Sequence, residues 1–325
     1  MESGLIKYDV ESLTSDNTFY GLNNFYGLSN VFIKLEGLNI AGSIKLKTAI
    51  YLVNGLEETI GISPQKNTII ESSSGNLGIA LSIVCKSKGY KFICVTDPNT
   101  SLKAEQYMQL YGAKIIKVTT KDKNGGYLGT RIDNIKELLA RDPDLIWTNQ
   151  YSSKFNIEAH YNTTAKEILD QFPQLQYLFI GAGTTGTLAG CAQYFKKYSP
   201  NTKVIAIDTY GSVTFGYKAS PRFIPGLGTS HKPAISSTDN IHKVLLVKEQ
   251  NAVFMCNYLL KNFGLFLGGS SGSVLYAIRQ YLSNIKGDPN IVAISPDFGD
   301  KYVQTIYNTE WVKEKFACDR FEESI

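Results

Sequence analysis

Histidine and cysteine are scarce in this 325-residue chain, and their spacing argues against the common metal and disulfide frameworks. The three histidines lie too far apart in the sequence to indicate a metal triad: His160, His231 and His242. The five cysteines form no C-x-x-C pair and are odd in number, so neither a zinc site nor a disulfide framework is expected. They are Cys85, Cys94, Cys191, Cys256 and Cys318. Isolated thiols of this kind predict a reducing, cytoplasmic location.

Long apolar runs and blocks of like charge are also lacking. No run reaches the roughly 20 residues of a membrane-spanning helix, and no basic segment followed by an apolar one opens the chain. Neither a membrane anchor nor an export signal is therefore expected. The formal net charge is only +4 and the lysines are scattered, so a nucleic-acid partner is not expected either. The hydrophobic content of 43% is that of an ordinary globular protein.

Short apolar strands alternate with helical segments along most of the chain, which is long enough for two lobes or one large α/β domain. The predicted strands are residues 31–36, 68–71, 90–96, 113–119, 144–148, 177–180, 203–208 and 290–295. The predicted helices are residues 46–56, 76–87, 101–111, 128–141, 159–172, 187–198, 252–263 and 273–285. This alternation predicts parallel sheets that are covered by helices on both faces. Two successive series suggest two lobes, with a ligand site where strand ends face the crevice between them.

A turn of small residues, 39–44 (N-I-A-G-S-I), places Lys45 between an extended run and a helical run. A lysine at such a corner directs its amine into the cavity that the turn faces. If burial removes its charge, the neutral amine can attack a carbonyl and form a Schiff base. The alternative is a solvated lysine at the start of an amphipathic helix, which is the commoner case for one lysine among 28.

Three loops rich in Gly, Ser and Thr precede predicted helices. Residues 71–78 (E-S-S-S-G-N-L-G) offer hydroxyls, backbone N–H groups and a helix N-terminus to a small anion such as a carboxylate. Residues 181–187 (G-A-G-T-T-G-T) suit one terminal phosphate, but they match neither the Walker loop nor the dinucleotide motif. Residues 268–273 (G-G-S-S-G-S) form the third corner. Each loop alone is weak evidence for a ligand site, because Gly, Ser and Thr are common in the loops that connect strands and helices.

Taken in their order along the chain, this lysine and these loops resemble the fold-type II pyridoxal phosphate (PLP) enzymes, and among them the cysteine synthase and cystathionine β-synthase group. The likeness covers residues 13–311. It implies a two-lobed α/β fold, tryptophan synthase β-like, with a smaller lobe of residues 47–152 and a larger, cofactor-binding lobe of residues 13–46 and 153–313. The active site would lie between the lobes. The substrates would be small amino acids, and a homodimer is expected.

The resemblance also implies roles for individual residues. Lys45 would form the internal aldimine, and Asn76 would bind the 3′-oxygen of the cofactor, the alternative for Asn76 being a helix cap. Ser270 would meet the pyridine nitrogen. The substrate carboxylate would be bound by Ser73, Ser74, Gly75 and Asn76, and the cofactor phosphate by Gly183, Thr184, Thr185, Gly186 and Thr187. This chain departs from the family at three points: Lys45 is followed by Leu46 and Lys47, Ile40-Ala41 replaces Pro-Gly, and Leu77 replaces a threonine.

A finer likeness points to one branch of the family. Residues 124–131, 149–151, 211–213, 225–228 and 296–302 resemble segments of the siderophore-pathway enzymes that condense O-phospho-L-serine with L-glutamate, on the route to 2,3-diaminopropionate. Arginine is scarce, and Arg131 follows a glycine pair early in a predicted helix, so with Tyr151 and Ser212 it would meet the departing phosphate. The alternative for Arg131 is a surface pair with Asp133 or Glu137.

The implied chemistry is β-elimination of an activated serine to an aminoacrylate, followed by addition of a nucleophile. Lys45 would remove the α-proton, and a neutral hydroxyl such as Ser270 at the ring nitrogen favours prompt elimination. Two alternatives remain: a cysteine synthase that uses sulfide, and a catalytically silent scaffold or ligand sensor on the same fold. The presence of both Lys45 and Asn76 argues against the silent scaffold.

Overall fold

The computed structural model describes residues 7, 9–14, 17–123 and 125–317. Cys318 and Asn124, the first residue of one branch-like segment, lie outside this part of the chain. The strands of the described part are β1 (Phe19–Leu22), β2 (Val31–Leu35), β3 (Thr68–Ser72), β4 (Lys91–Thr96), β5 (Lys114–Lys117), β6 (Leu145–Trp147), β7 (Tyr177–Gly181), β8 (Lys203–Thr209), β9 (Lys243–Val247) and β10 (Ile291–Ser295). The helices are α1 (Lys45–Ile60), α2 (Asn76–Lys88), α3 (Leu102–Leu110), α4 (Leu128–Arg141), α5 (Lys154–Ala159), α6 (Lys166–Gln171), α7 (Gly186–Tyr198), α8 (Glu249–Phe263), α9 (Gly269–Tyr281) and α10 (Thr309–Phe316).

The strands form two sheets. The larger has six strands in the order β1-β2-β10-β7-β8-β9, and all its pairs are parallel except the outer pair β1–β2. The smaller is a fully parallel sheet of four strands in the order β5-β4-β3-β6. The prediction of an α/β fold with parallel and mixed sheets covered by helices is confirmed.

Both faces of the central strands are buried, which explains their nearly continuous apolar sequences. Side chains alternate across each strand, so Phe179 of β7 packs with the core under α9 and its neighbour Leu178 packs with the core under α7. The four-stranded sheet has the same arrangement, with α1 and α2 over one face and α4 over the other. Within the described residues, no helix is long and apolar enough to cross a membrane.

Several element boundaries differ from the sequence prediction. β1, β9 and α10 were not predicted, because two are short edge strands and the third follows a loop with no strong periodicity. The helix predicted at 159–172 begins earlier, at Lys154, and is interrupted by a π-helical turn at His160–Ala165. Helix α9 begins at Gly269, so Ser270 lies in its first turn, and the preceding segment comes from helix α8 rather than from a strand.

One segment after β10 brings three parts of the chain together. The Ile44 N–H donates to the Pro296 carbonyl oxygen at 2.8 Å, and Ser43 pairs with Asp297 in an antiparallel bridge. On the other side, the Gly268 N–H donates to the Asp297 carbonyl oxygen at 3.1 Å. The turn before Lys45 and the start of α9 therefore lie on either side of residues 296–298.

Candidate active site

The turn that carries Lys45 is held by the side chain of Asn39. Its Nδ2 donates to the carbonyl oxygens of Glu36 and Ser43, both at 2.9 Å, and its Oδ1 accepts from the Ala41 N–H at 2.9 Å. Gly42 has a φ of +62°, a conformation that glycine adopts without strain. These contacts fix the turn without the Pro-Gly pair of the family, and α1 then begins at Lys45 itself.

Burial lowers the pKa of Lys45 from its ordinary value of 10.5 to about 8, and the negative charge of Glu71 partly opposes this shift. A depression of this size raises the neutral, nucleophilic fraction of the amine at pH 7 by roughly 300-fold. Lys45 therefore has the properties required of a Schiff-base lysine.

Glu71 is a buried carboxylate near Lys45 to which the sequence analysis gave no role. It accepts hydrogen bonds from Thr148 Oγ1 at 2.5 Å, from Trp147 Nε1 at 3.0 Å and from the Gln150 N–H at 3.0 Å. Burial raises its pKa, although these hydrogen bonds oppose the shift. Its position at the end of an apolar strand is the signal that sequence reasoning could have used.

Asn76 is the first residue of α2, and its side chain contacts residues that follow β10. Its Nδ2 donates to Asp297 Oδ2 at 2.7 Å, and its Oδ1 accepts from Lys301 Nζ at 2.7 Å. The side chain does not cap the helix, so the alternative of a helix cap is wrong. Asn76 instead links the four-stranded sheet to the segment that flanks Lys45.

In the loop before α2, the side chain of Ser73 is used in hydrogen bonds within the loop, while the backbone at Gly75 has space beside it. Ser73 Oγ accepts from the Gly78 N–H at 2.9 Å and from the Gly75 N–H at 3.3 Å. A Cβ placed on Gly75 would meet no atom within 4 Å, so there is space beside this backbone, and Ser74 next to it is partly exposed. A small carboxylate fits such a loop at a helix N-terminus.

The loop at residues 183–187 leads into α7 and has the features of a phosphate site. Thr185 has a φ of +71°, which is strained for a threonine, and its buried Oγ1 finds no hydrogen-bond partner among the described residues. Gly183 and Gly186 have no room for a Cβ, which would lie 2.9 Å from the Gly226 carbonyl oxygen and 2.2 Å from Asn156 Oδ1 respectively. Thr187, in the first turn of α7, is partly exposed. An unsatisfied hydroxyl beside helical N–H groups fits the phosphate of PLP.

Asn156 joins the phosphate loop to the helix that carries Lys45, and it was not predicted. Its Nδ2 donates to Thr184 Oγ1 at 3.0 Å and to the Gln150 carbonyl oxygen at 2.8 Å, while its Oδ1 accepts from Thr48 Oγ1 at 3.4 Å. Thr48 in turn lies 3.0 Å from His160 Nε2 in the π-helical turn. Because all these side chains are buried, the network holds α1 and the phosphate loop in a fixed relation.

Ser270 is buried in the first turn of α9 beside Gly226, where a Cβ would lie 3.5 Å from the Ser270 Oγ. Gly226 also contacts Gly183 of the phosphate loop. The turn at Gly226 therefore packs against Ser270, which was assigned to the ring nitrogen of the cofactor, and against the loop that was assigned to its phosphate.

Arg131 is buried in α4, with 6% of its surface exposed. Its Nη1 lies 3.3 Å from Asp97 Oδ2, so the predicted alternative of a surface pair with Asp133 or Glu137 is wrong. Its Nε and Nη1 make no hydrogen bond with described residues, which leaves donors for an anion. Burial raises the pKa of Tyr151, and the positive charges of Arg131 and Arg222 oppose this shift.

Ser212 is fully buried, and its hydroxyl is used within the protein. It donates to Thr214 Oγ1 at 3.0 Å and accepts from the N–H groups of Thr214 and Thr229, each at 3.2 Å. This places Ser212 as the link between two loops, and its contact with a leaving group remains a prediction.

Lys47, two residues after Lys45, belongs to a buried ion network rather than to the reactive site. Its Nζ lies 3.0 Å from Glu36 Oε1 and 2.7 Å from Glu167 Oε2, and Lys34 contacts the same two carboxylates. Burial alone would lower the pKa of Lys47, but the charges of Glu36 and Glu167 raise it. Lys47 is therefore held in its charged, non-nucleophilic form.

Fold and site together define a fold-type II PLP enzyme, and comparison with known proteins agrees. The family described as pyridoxal-phosphate dependent enzyme matches residues 18–297, and the chain belongs to this family. PLP is accordingly its cofactor, and the residues described above fit that group.

Individual proteins give a more specific likeness than the family as a whole. The chain is 42% identical over 284 residues to N-(2-amino-2-carboxyethyl)-L-glutamate synthase of Ralstonia nicotianae, covering 87% of this chain and 83% of that protein. It is also 42% identical to the protein of the same name from Cupriavidus metallidurans over 287 residues, covering 87% of this chain and 84% of that protein. Among solved structures, the O-acetylserine dependent cystathionine beta-synthase of Helicobacter pylori is 29% identical with a TM-score of 0.86, over 94% of this chain and 100% of that one.

Proposed function

We propose that this enzyme catalyses a PLP-dependent β-replacement in which O-phospho-L-serine and L-glutamate give N-(2-amino-2-carboxyethyl)-L-glutamate and phosphate. The observation that carries the donor is the buried guanidinium of Arg131, whose Nε and Nη1 are without hydrogen bonds to described residues. A buried guanidinium whose Nε–H has no partner among the described residues, beside its ion pair with Asp97, can bind a dianion such as phosphate. The names of the two 42% identical relatives support glutamate as the nucleophile.

Lys45 has two roles in this proposal. Its amine would hold the cofactor, and as a free amine it would take the α-proton of the bound serine derivative, for which a pKa near neutrality is suited. PLP, when bound, supplies the electron sink that stabilises negative charge at the α-carbon. Asn76 would bind its 3′-oxygen, and Ser270 would meet its ring nitrogen. Gly183, Thr184, Thr185, Gly186 and Thr187 would bind its phosphate.

The substrate would be bound at two ends. Ser73, Ser74, Gly75 and Asn76 would receive its carboxylate at the N-terminus of α2, where backbone N–H groups favour an anion. Arg131, with Tyr151 and the loop at Ser212, would receive the departing phosphate at the other end. Charge that develops on the leaving group would then be met by a guanidinium that is already in place and shielded from water.

A cysteine synthase that uses sulfide is the second candidate. It is supported by the likeness to the Helicobacter pylori structure, whose name specifies O-acetylserine. A silent scaffold is disfavoured because burial lowers the pKa of Lys45 to about 8 and the charge of Glu71 only partly opposes this shift, a perturbation that is typical of functional sites.

We further propose the lobe boundaries at residues 47–152 and at 13–46 with 153–313, since β3 to β6 form one sheet and the other strands the second. We also propose that the protein is a homodimer, that its substrates are small molecules, and that it is located in the cytoplasm. The four described cysteines are free and buried, which suits a reducing compartment.

The decisive experiment is mass analysis of the products from O-phospho-L-serine incubated separately with L-glutamate and with sulfide. The proposal expects the glutamate adduct and phosphate. Cysteine as the main product would favour the second candidate. An absence of both products from the PLP-loaded protein would favour the silent scaffold.

A further inference from the structure

Two residues that follow β10 bind opposite ends of the Asn76 amide. Lys301 Nζ donates to Asn76 Oδ1 at 2.7 Å, and Asn76 Nδ2 donates to Asp297 Oδ2 at 2.7 Å. Tyr302 Oη donates to the same carboxylate oxygen at 2.7 Å. These residues belong to segment 296–302, which resembles one branch of the family, but the resemblance implies no role for them.

This pair of contacts fixes which way the amide faces. A carboxamide is nearly symmetric in shape, so its oxygen and nitrogen can exchange places unless their partners differ. Here the oxygen faces a cation that can only donate, and the nitrogen faces a carboxylate that accepts. The NH₂ group carries two hydrogens, and Asp297 uses one. The other can donate to a ligand acceptor.

Lys301 also reaches the turn that carries the reactive lysine. The same Nζ donates to the Gly42 carbonyl oxygen at 2.9 Å, three residues before Lys45. A single ammonium group therefore contacts the loop before α1 and the first residue of α2. Burial lowers the pKa of Lys301 and raises that of Asp297, while each charge opposes the other's shift.

We propose that Lys301, with Asp297, is a positioning residue that orients the Asn76 amide toward the 3′-oxygen of PLP and sets its distance from the turn of Lys45. The inference rests on the role of Asn76 in the proposed site. It does not depend on which donor or nucleophile the enzyme uses, because its test concerns the cofactor alone.

The test compares Lys301→Met and Lys301→Arg with the unmodified protein. The apoprotein is titrated with PLP, and the affinity and the visible spectrum of the complex are recorded across pH. Loss of one charge-assisted hydrogen bond should weaken PLP binding by about tenfold or more in Lys301→Met and displace the visible absorbance and its pH midpoint. Lys301→Arg keeps the charge and the donors, so it should restore most of both.

Lys103→Met is the matched control. Lys103 is half exposed and contacts Asp300, the neighbour of Lys301, at 2.9 Å, so its removal perturbs the same segment from outside. It should leave the PLP affinity unchanged and alter the spectrum far less than Lys301→Met, although, besides burial, the charge of Lys103 contributes to lowering the pKa of Lys301. If Lys301→Met does not fold, as judged by circular dichroism of the apoprotein, Lys301→Gln serves instead, because it keeps donors without the charge.

The variant Asn76→Ala distinguishes a failure of the role proposed for Lys301 from a failure of the role proposed for Asn76. If Asn76→Ala changes the spectrum and Lys301→Met and Lys301→Gln do not, the role of Lys301 is refuted while the site stands. If Asn76→Ala also leaves the spectrum and the affinity unchanged, the assignment of Asn76 fails, and the role of Lys301 fails with it.

Discussion

Burial changes the chemistry of single residues in the candidate site, and Lys45 is the clearest case. Its depressed pKa makes the amine both a better nucleophile and a usable base near neutral pH. Arg131 is also buried, where it pairs with Asp97 and keeps an Nε–H without a hydrogen-bond partner among the described residues. At the residue scale, the site thus combines an amine whose pKa is lowered toward neutrality with a buried guanidinium that can donate to an anion.

For Lys45→Ala we expect loss of the visible absorbance of the covalently held cofactor and of nearly all turnover. Loss of the general base alone is worth roughly 10²–10⁴ in rate. Absorbance spectroscopy and a turnover assay measure the two effects, with Lys103→Ala as an exposed control. A retained absorbance band would mean that another lysine holds the cofactor.

The pKa of Lys45 can be tested through the pH dependence of stability, by comparing the apoprotein with its Lys45→Ala variant. A lysine with a pKa of about 8 when folded and 10.5 when unfolded binds fewer protons in the folded state between these values. Stability of the unmodified apoprotein should therefore rise with pH across this window, by at most about 3 kcal/mol. Urea unfolding at several pH values should show this rise in the parent and not in Lys45→Ala. An equal rise in both proteins would contradict the assigned pKa.

Arg131→Ala should impair the use of O-phospho-L-serine and largely spare O-acetylserine, whose leaving group needs no partner for a dianion. The expected loss in kcat/KM is about 10- to 150-fold, the scale of a charge-assisted contact. Arg141→Ala, an exposed arginine at the end of the same helix, is the control. An equal loss with both substrates would indicate a structural role, and a parental preference for O-acetylserine would refute the phosphoserine proposal.

At the scale of elements, helix α1 is held in place by polar contacts of the residues two and three positions after Lys45. Thr48 contacts Asn156 and His160, and Lys47 enters the ion network with Glu36 and Glu167. The two networks tie α1 to the π-helical turn, to α6 and to the end of β2. The position of the reactive amine thus depends on elements distant in sequence.

Lys47→Met should lower the free energy of unfolding by about 3–5 kcal/mol, because it leaves the fully buried Glu36 with one cation fewer. Urea unfolding measures this. The control is Lys166→Met, because Lys166 forms an exposed pair with Asp170 in α6 and its replacement should cause no measurable change.

The same network predicts sensitivity to acid. Burial alone would raise the pKa of Glu167, but Lys47 and Lys34 lower it below 4.5, so the parent should lose stability as the pH falls below 4.5. A variant with unchanged stability and acid sensitivity would show that the network contributes little.

At the scale of the whole molecule, the candidate site takes residues from both sheets. Asn76 follows β3 of the smaller sheet, whereas the phosphate loop follows β7 and residues 296–302 follow β10 of the larger one. A ligand bound by all three must stabilise the association of the two halves, since it binds only the folded arrangement.

PLP should therefore raise the melting temperature of the apoprotein more than pyridoxal, which carries the same aldehyde without the phosphate. At a hundredfold excess over Kd, binding adds about 2.7 kcal/mol to stability. Calorimetry with each ligand measures the difference, and inorganic phosphate alone serves as the control for ionic effects. Equal stabilisation by PLP and pyridoxal would contradict the role of residues 183–187.

The sequence by itself determined the features that depend on neighbouring residues. The alternation of apolar strands and helices gave the fold class, because burial on both faces requires that pattern wherever it occurs. The lysine turn and the Gly/Thr loop were recognisable because the residues that shape each are contiguous. The family could be assigned on those segments, and the match over residues 18–297 confirms it.

Only the tertiary structure decided what surrounds those segments. Nothing near Asn76 in the sequence indicates that its amide contacts residues 297 and 301, more than 200 positions away, or that Arg131 pairs with Asp97 rather than with Asp133. Asn156 and the partners of Lys47 were missed for the same reason. A pKa and a hydrogen-bond partner depend on burial and on distances through space, and these are set by how the two sheets pack, which no local pattern encodes.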